Sequence, residues 1–158
     1  DTRRVFVIGG GHVAREVSRL LGQLAVRHFV ADDRAEFAAA ERFADAEQVI
    51  LCDFSALNTA FAGALAPTAA DAVCIMTRGH QGDAAAVRWA LDTPAGYIGL
   101  MGSRRKRETL FADLAAAGYT DAPARITTPI GLAIGAVTPA EIAVSVCAQL
   151  VQWFHSKE

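Results

Sequence analysis

The turn Gly9-x-Gly11-x-x-Ala14 has the residue types and spacing to hold a phosphate. Gly9 makes a tight turn, Gly11 lets the backbone approach a pyrophosphate, and Ala14 is small enough for a helix to pack on the preceding strand. The free amides and positive end of a helix starting near His12 would then face the anion. The His12 imidazole either donates to a ligand phosphate or points to solvent. Asp32 follows Gly9 by 23 residues, with Asp33 and Arg34 directly after it. A carboxylate there accepts hydrogen bonds from the ribose hydroxyls of a nucleotide and repels a 2′-phosphate, although Arg34 leaves that open. The alternative is that one of the two acids caps the next helix.

Two further segments carry chemistry. Thr77-Arg78-Gly79-His80 leads to Asp83. Thr77, Gly79 and His80 are candidates for ligand contact, while Asp83 reads as a helix N-cap. His80 and Asp83 alone are too few for a catalytic zinc site, so no metal is expected. Gly102 and Ser103 precede four cations, Arg104 to Arg107. Cations in a first helical turn oppose the macrodipole by roughly 0.3–1 kcal/mol each. A bound anion would reverse that sign, because arginine matches phosphate oxygens in a fork geometry. Gly102, Ser103 and Arg104, nearest the turn, are the candidates. The other reading is a solvated basic face. Glu141 completes a capping box with Thr138, and neither His28 nor His155 suggests a site. No nucleophilic triad or strongly signalled carboxylate pair stands out, so no catalytic residue is assigned.

The elements that must position these residues alternate between strand-like and helix-like runs, as in a parallel α/β sheet. Strands are expected at Arg4–Ile8, Ala25–Ala31, Gln48–Cys52, Ala72–Met76 and Tyr97–Met101. Helices are expected at His12–Leu21, Arg34–Arg42, Ser55–Leu65, Gly82–Leu91, Ser103–Ala117 and Thr138–Phe154. Right-handed crossovers favour a Rossmann-type doubly wound parallel sheet flanked by helices, a single domain with strand order 3-2-1-4-5. Tyr119–Val137, rich in Gly, Pro and Thr, reads as a long functional loop unless part of it forms another strand. The last helix is apolar on more than one side, which points to a homodimer or a neighbouring domain.

The chain of 158 residues has net charge −2 and 53% apolar residues. One domain with a sheet buried on both faces fits those values, and neither nucleic acid nor an anionic membrane fits as main partner. No apolar run approaches the roughly 18 residues of a membrane span, so a cytoplasmic location is expected. Cys52, Cys74 and Cys147 are far apart in apolar stretches and read as buried, reduced thiols. The chain opens on Asp1 almost directly at the first strand, which suggests one domain of a longer protein.

Taken together, Gly9-x-Gly11-His12-x-Ala14, Asp32-Asp33-Arg34, Phe37…Glu41-Arg42-Phe43, Thr77 to Asp83, Tyr97-x-Gly99-x-x-Gly102-Ser103-Arg104-x-Lys106 and Pro129-x-Gly131 through Thr138-Pro139-x-Glu141 to Ser145 resemble the C-terminal Rossmann domain of the XdhC/CoxI family, the xanthine dehydrogenase accessory factors. The resemblance runs nearly end to end. It implies that residues 1–158 are one Rossmann-like domain, with the family's N-terminal domain absent from this chain. It further implies a chaperone that transiently binds the molybdenum cofactor, molybdopterin, and supports its sulfuration through a cysteine desulfurase. Insertion into a client molybdenum hydroxylase, such as xanthine or aldehyde dehydrogenase, would follow. The residue pattern leaves two alternatives open, an NAD(P)-dependent oxidoreductase and a nucleotide-sensing domain.

Overall fold

Apolar runs bounded by turn residues make the sheet. A computed structural model describes residues 3–156, with the side chains of His80 and Gln81 outside that description. The chain runs β1 (Arg4–Ile8), α1 (His12–Gln23), β2 (Arg27–Asp32), β3 (Gln48–Leu51), α2 (Leu57–Ala60), β4 (Ala72–Ile75), α3 (His80–Leu91), β5 (Tyr97–Leu100), α4 (Arg104–Ala116), α5 (Ala122–Arg125), β6 (Ile126–Thr127) and α6 (Pro139–His155). The six strands lie in the order β3-β2-β1-β4-β5-β6, every pair parallel. The doubly wound order holds, and β6 extends it by one short strand from within the expected loop.

Period-two alternation divides the core into two layers. On one face Phe6, Ile8, Phe29, Val73, Ile75 and Ile98 pack under α3, α4 and the 54–61 segment, where the Phe6 and Phe29 rings stack at 5.2 Å. On the other, Val5, Val7, Val30, Cys74 and Tyr97 meet α1 and α6. Helix α1 buries Ala14, Val17, Ser18 and Leu21, a stripe at helical spacing. Thr138 and Glu141 form the expected capping box at the start of α6. At the N-terminal edge, fully buried Asp71 accepts from the Arg4 amide at 2.9 Å, Arg4 Nη2 at 2.8 Å and the Thr68 amide at 2.7 Å.

Three expectations are corrected. Arg34–Arg42 is not an α-helix: it turns, then closes in one 3₁₀ turn at Ala40–Arg42. The Phe37 carbonyl accepts from Arg42 Nη1 at 3.0 Å, and Asp32 captures the Arg34 amide at 2.9 Å, so side chains compete for groups a helix would use. Ser55–Leu65 breaks into 3₁₀ turns around α2, because Phe61 leaves helical geometry as it enters the core and Gly63 takes φ +60°. Helix α3 starts at His80, earlier than expected, with Gly79 and not Asp83 as its N-cap.

Cys74 and Cys147 are buried, Cys52 is half-buried and all three are free. Burial pushes each thiol up, Cys147 to about 12, so they stay protonated. Among the described residues no helix is long and apolar enough to cross a membrane.

His28 is fully buried, with Nδ1 3.0 Å from the Val26 carbonyl and Nε2 2.7 Å from Ser18 Oγ. A carbonyl only accepts, so Nδ1 carries the hydrogen and Nε2 accepts from the hydroxyl. Burial, opposed by the Val26 contact, pulls this imidazole below its ordinary value. The unfolded chain therefore binds the proton first, and the contribution of neutral His28 is full above about pH 6.5 and lost as pH falls through the folded value. Denaturant midpoints measured from pH 8 to 5 should decline below about pH 6.5, and His28→Gln should flatten that part of the decline. An unchanged profile in the variant would remove His28 as its source.

Candidate functional site

Strand order reverses between β1 and β4, and ligands of open parallel sheets bind beyond the strand ends at such a switch point. The glycine turn stands there. Gly9 has φ +103°, and a Cβ on it would lie 2.5 Å from the Met76 carbonyl oxygen, so only glycine lets the turn cross the end of β4 this closely. Gly11 differs: a Cβ built there meets nothing within 4 Å. Gly11 is the N-cap of α1, with no side-chain cap and no acid in the first turn. The helix start is thus left open toward an adjoining cleft.

Gly10 between them is held at both polar groups. Its amide donates to Asp32 Oδ2 at 2.6 Å, and its carbonyl accepts from Arg42 Nη1 at 2.5 Å. Asp32 is buried and also receives the Arg34 amide at 2.9 Å and Arg34 Nε and Nη2 at 3.0 Å each. Burial alone would push the Asp32 carboxyl up, but the hydrogen bonds from Arg34 and Gly10 outweigh it and hold the group below the usual range. Asp33 is half-exposed, and partial burial followed by the neighbouring Asp32 charge pushes it up. The Arg34 guanidinium lies 3.8 Å from the Phe37 ring centroid and Arg42 lies 5.0 Å from it. These cation–π contacts hold the 34–42 strap together, and the Arg42 bond to the Gly10 carbonyl ties it to the glycine turn.

Two clefts open along this edge. One, of about 340 Å³, is walled by Gly11, His12, Val13, Ala14, Phe37, Met76, Met101 and Pro139. The other, of about 490 Å³, is walled by Asp32, Asp33, Phe54, Thr77 and Gly79. Arg34 and Arg78 belong to both walls. Of the expected residues, the structure gathers Gly11 and His12 in the first cleft and Asp32, Asp33, Thr77 and Gly79 in the second, with Gly9 beneath them. Thr77 hydrogen-bonds to Asp83, which sits one turn inside α3 and there replaces the expected N-cap role. The His80 backbone begins α3, and its side chain lies outside the described residues.

Gly102, Ser103 and Arg104 are not in either wall, although the preceding Met101 is. Ser103 caps α4 as expected, its hydroxyl accepting from the Lys106 amide at 3.3 Å. Arg104, Arg105 and Lys106 are exposed. Sequence reasoning misses Arg78 and Phe37 as wall residues, although both stand inside conspicuous segments. The signal for Arg78 is its place directly after β4; that for Phe37 is only its spacing between two arginines. Among the described residues no three His, Cys, Asp or Glu side chains are grouped to hold a metal.

The model of the XdhC Rossmann domain family matches residues 5–150. The chain belongs to the XdhC family. Similar to this XdhC domain is YqeB of Escherichia coli K12, an uncharacterised protein, 31% identical over 94% of the chain and 27% of its own length. A Bacillus subtilis protein described as a probable xanthine dehydrogenase subunit is 28% identical over 94% of the chain and 42% of its own length. The chain thus spans less than half of either relative. A solved protein described as a xanthine dehydrogenase from Bacillus halodurans superposes with TM-score 0.84 at 28% identity, covering 98% of the chain and 45% of that protein. The Escherichia coli protein chuY shares the fold alone, with TM-score 0.56 at 15% identity over 98% of the chain and 91% of its own.

Proposed function

We propose that this XdhC domain binds the phosphorylated pterin of the molybdenum cofactor, molybdopterin, and passes it to a molybdenum hydroxylase of the xanthine or aldehyde dehydrogenase type. The observation that carries the reading is the open space over Gly11, at an uncapped helix start, in a cleft that sets His12, Arg34 and Arg78 among apolar walls. The group fits these residues. Helix amides and Arg78 suit its phosphate, while Phe37, Met76, Met101 and Val13 suit a planar ring system. When bound, the cofactor supplies the molybdenum redox chemistry of the client. The residues of this chain bind and orient it, and Asp32 and Arg42 keep the glycine turn rigid for that purpose.

Two relatives bearing xanthine dehydrogenase names support a client of that class. A cysteine desulfurase that supplies the cofactor's sulfur is the second partner in this reading. The exposed Val137 and Val144, at and beside the outer face of α6, suit a homodimer or a neighbouring domain. The nicotinamide reading is weaker on one specific point. The carboxylate at the end of β2 that would take ribose hydroxyls is instead engaged by four donors from Arg34 and Gly10. The test is equilibrium binding of purified protein to molybdopterin and, separately, to NAD and NADP. The proposal expects the pterin to bind more tightly, and tight nicotinamide binding without pterin binding would overturn it.

A further inference from the structure

The start of α4 carries charge that the fold does not use. Arg104, Arg105 and Lys106 occupy its first turn, which holds no acidic residue and where the free amides already make the helix end positive. All three side chains are exposed, and none makes an ion pair among the described residues. Arg107 is different, since its Nη1 donates to the Thr128 carbonyl at 3.1 Å. The sheet register brings a fourth cation beside the three. Ile75 of β4 lies opposite Leu100 of β5, so residues 76–78 and 101–103 leave the sheet side by side. Arg78, exposed and equally unpaired among the described residues, stands on the first of these segments. Met76, Arg78 and Met101 are walls of the first cleft. Lys106 leans back toward that edge, with its Cδ 3.8 Å from where a Cβ on Gly102 would stand. The cluster therefore lies beside the cleft, and only Arg78 enters its wall. In a chain of net charge −2 this is a local concentration of positive charge.

We propose that this basic cluster is the docking surface for an acidic face of the molybdenum hydroxylase that receives the cofactor. This rests on the reading that the domain passes its cofactor on. A carrier empties a cleft with the mouth held against the acceptor, so the surface beside the mouth is the one that the acceptor meets. Unpaired cations there draw carboxylates in over a Debye length of about 8–10 Å, speed the encounter and fix its orientation. Partner carboxylates at this helix end also face the free amides, which resolves the conflict between the cations and the helix dipole.

The test follows transfer of bound molybdopterin from the full chain to a cofactor-free hydroxylase of the xanthine dehydrogenase type. Wild type and the double variant Arg105→Glu, Lys106→Glu are compared at about 50 and about 300 mM salt. Neither residue lines a cleft, and acids suit a first helical turn. The variant should thus unfold no earlier than wild type and bind molybdopterin equally well. Wild-type transfer should slow about tenfold at the higher salt, and the variant should be about tenfold slower at low salt. Equal rates in the two proteins, or a wild-type rate insensitive to salt, would overturn the docking surface and leave the cofactor reading standing. Weaker molybdopterin binding by the variant would overturn it too, because the cations would then serve the cofactor. A wild type that binds molybdopterin but transfers none would overturn delivery and docking together, and one that binds none would overturn the cofactor reading itself.

Discussion

Gly9→Ala is expected to lower the thermal unfolding midpoint by on the order of 10 °C, whereas Gly11→Ala leaves it unchanged and weakens cofactor binding at least tenfold. The contrast follows from the space around each residue. At Gly9 an alanine would hold φ +103° with its methyl 2.5 Å from the Met76 carbonyl oxygen and 2.8 Å from the Thr77 amide nitrogen. Backbone strain of about 1–3 kcal/mol adds to a packing clash of about 1–3 kcal/mol, and the backbone at Met76 yields little because it directly follows β4 and is hydrogen-bonded to Ile8. In a domain of this size each kcal/mol shifts the midpoint by about 2–4 °C. Gly11 sits at φ −73° and ψ −165°, which alanine adopts freely, and its methyl would touch no protein atom within 4 Å. Its only cost is to a ligand that needs the backbone close, and a tenfold loss corresponds to about 1.4 kcal/mol. Scanning calorimetry and titration on the two variants read the two effects separately.

Asp32→Ala should reduce stability by about 3 kcal/mol and also weaken ligand binding. It strips the Gly10 amide of its acceptor and leaves the Arg34 guanidinium, 28% exposed, without its bidentate partner. Removing one member of a fully buried pair costs about 3–5 kcal/mol, and the partial exposure of Arg34 places this case at the low end. The loss reaches the site because Asp32 fixes the glycine turn from below and orients the cation shared by both clefts. Denaturant unfolding that leaves the variant as stable as wild type would show that this carboxylate does not organise the turn.

The central strands are legible in the sequence because strands covered on both faces read as unbroken apolar runs: Val5 to Ile8 and Ala72 to Ile75 have no other home. Strand β6 is not, since Ile126 and Thr127 alone carry no period. The 34–42 strap reads as helix by local propensity, but tertiary contacts set its geometry, with Arg42 reaching Gly10 and both arginines facing Phe37. The glycine turn is legible for the same reason that it works: its path across the end of β4 admits no side chain at Gly9. The joining role of Arg78 depends on which side chains share a wall, and no local pattern encodes that. The basic start of α4 is conspicuous by composition, yet Arg104 to Lys106 face solvent outside both clefts.

The most direct measurement is an anaerobic calorimetric titration of wild type and Gly11→Ala with molybdopterin, NAD and NADP under identical conditions. Molybdopterin should bind wild type at least tenfold more tightly than either nicotinamide nucleotide, and Gly11→Ala should abolish that preference without loss of fold. Tight binding of NAD or NADP with no binding of molybdopterin, or full pterin affinity in Gly11→Ala, would contradict a pterin-phosphate site at the glycine turn.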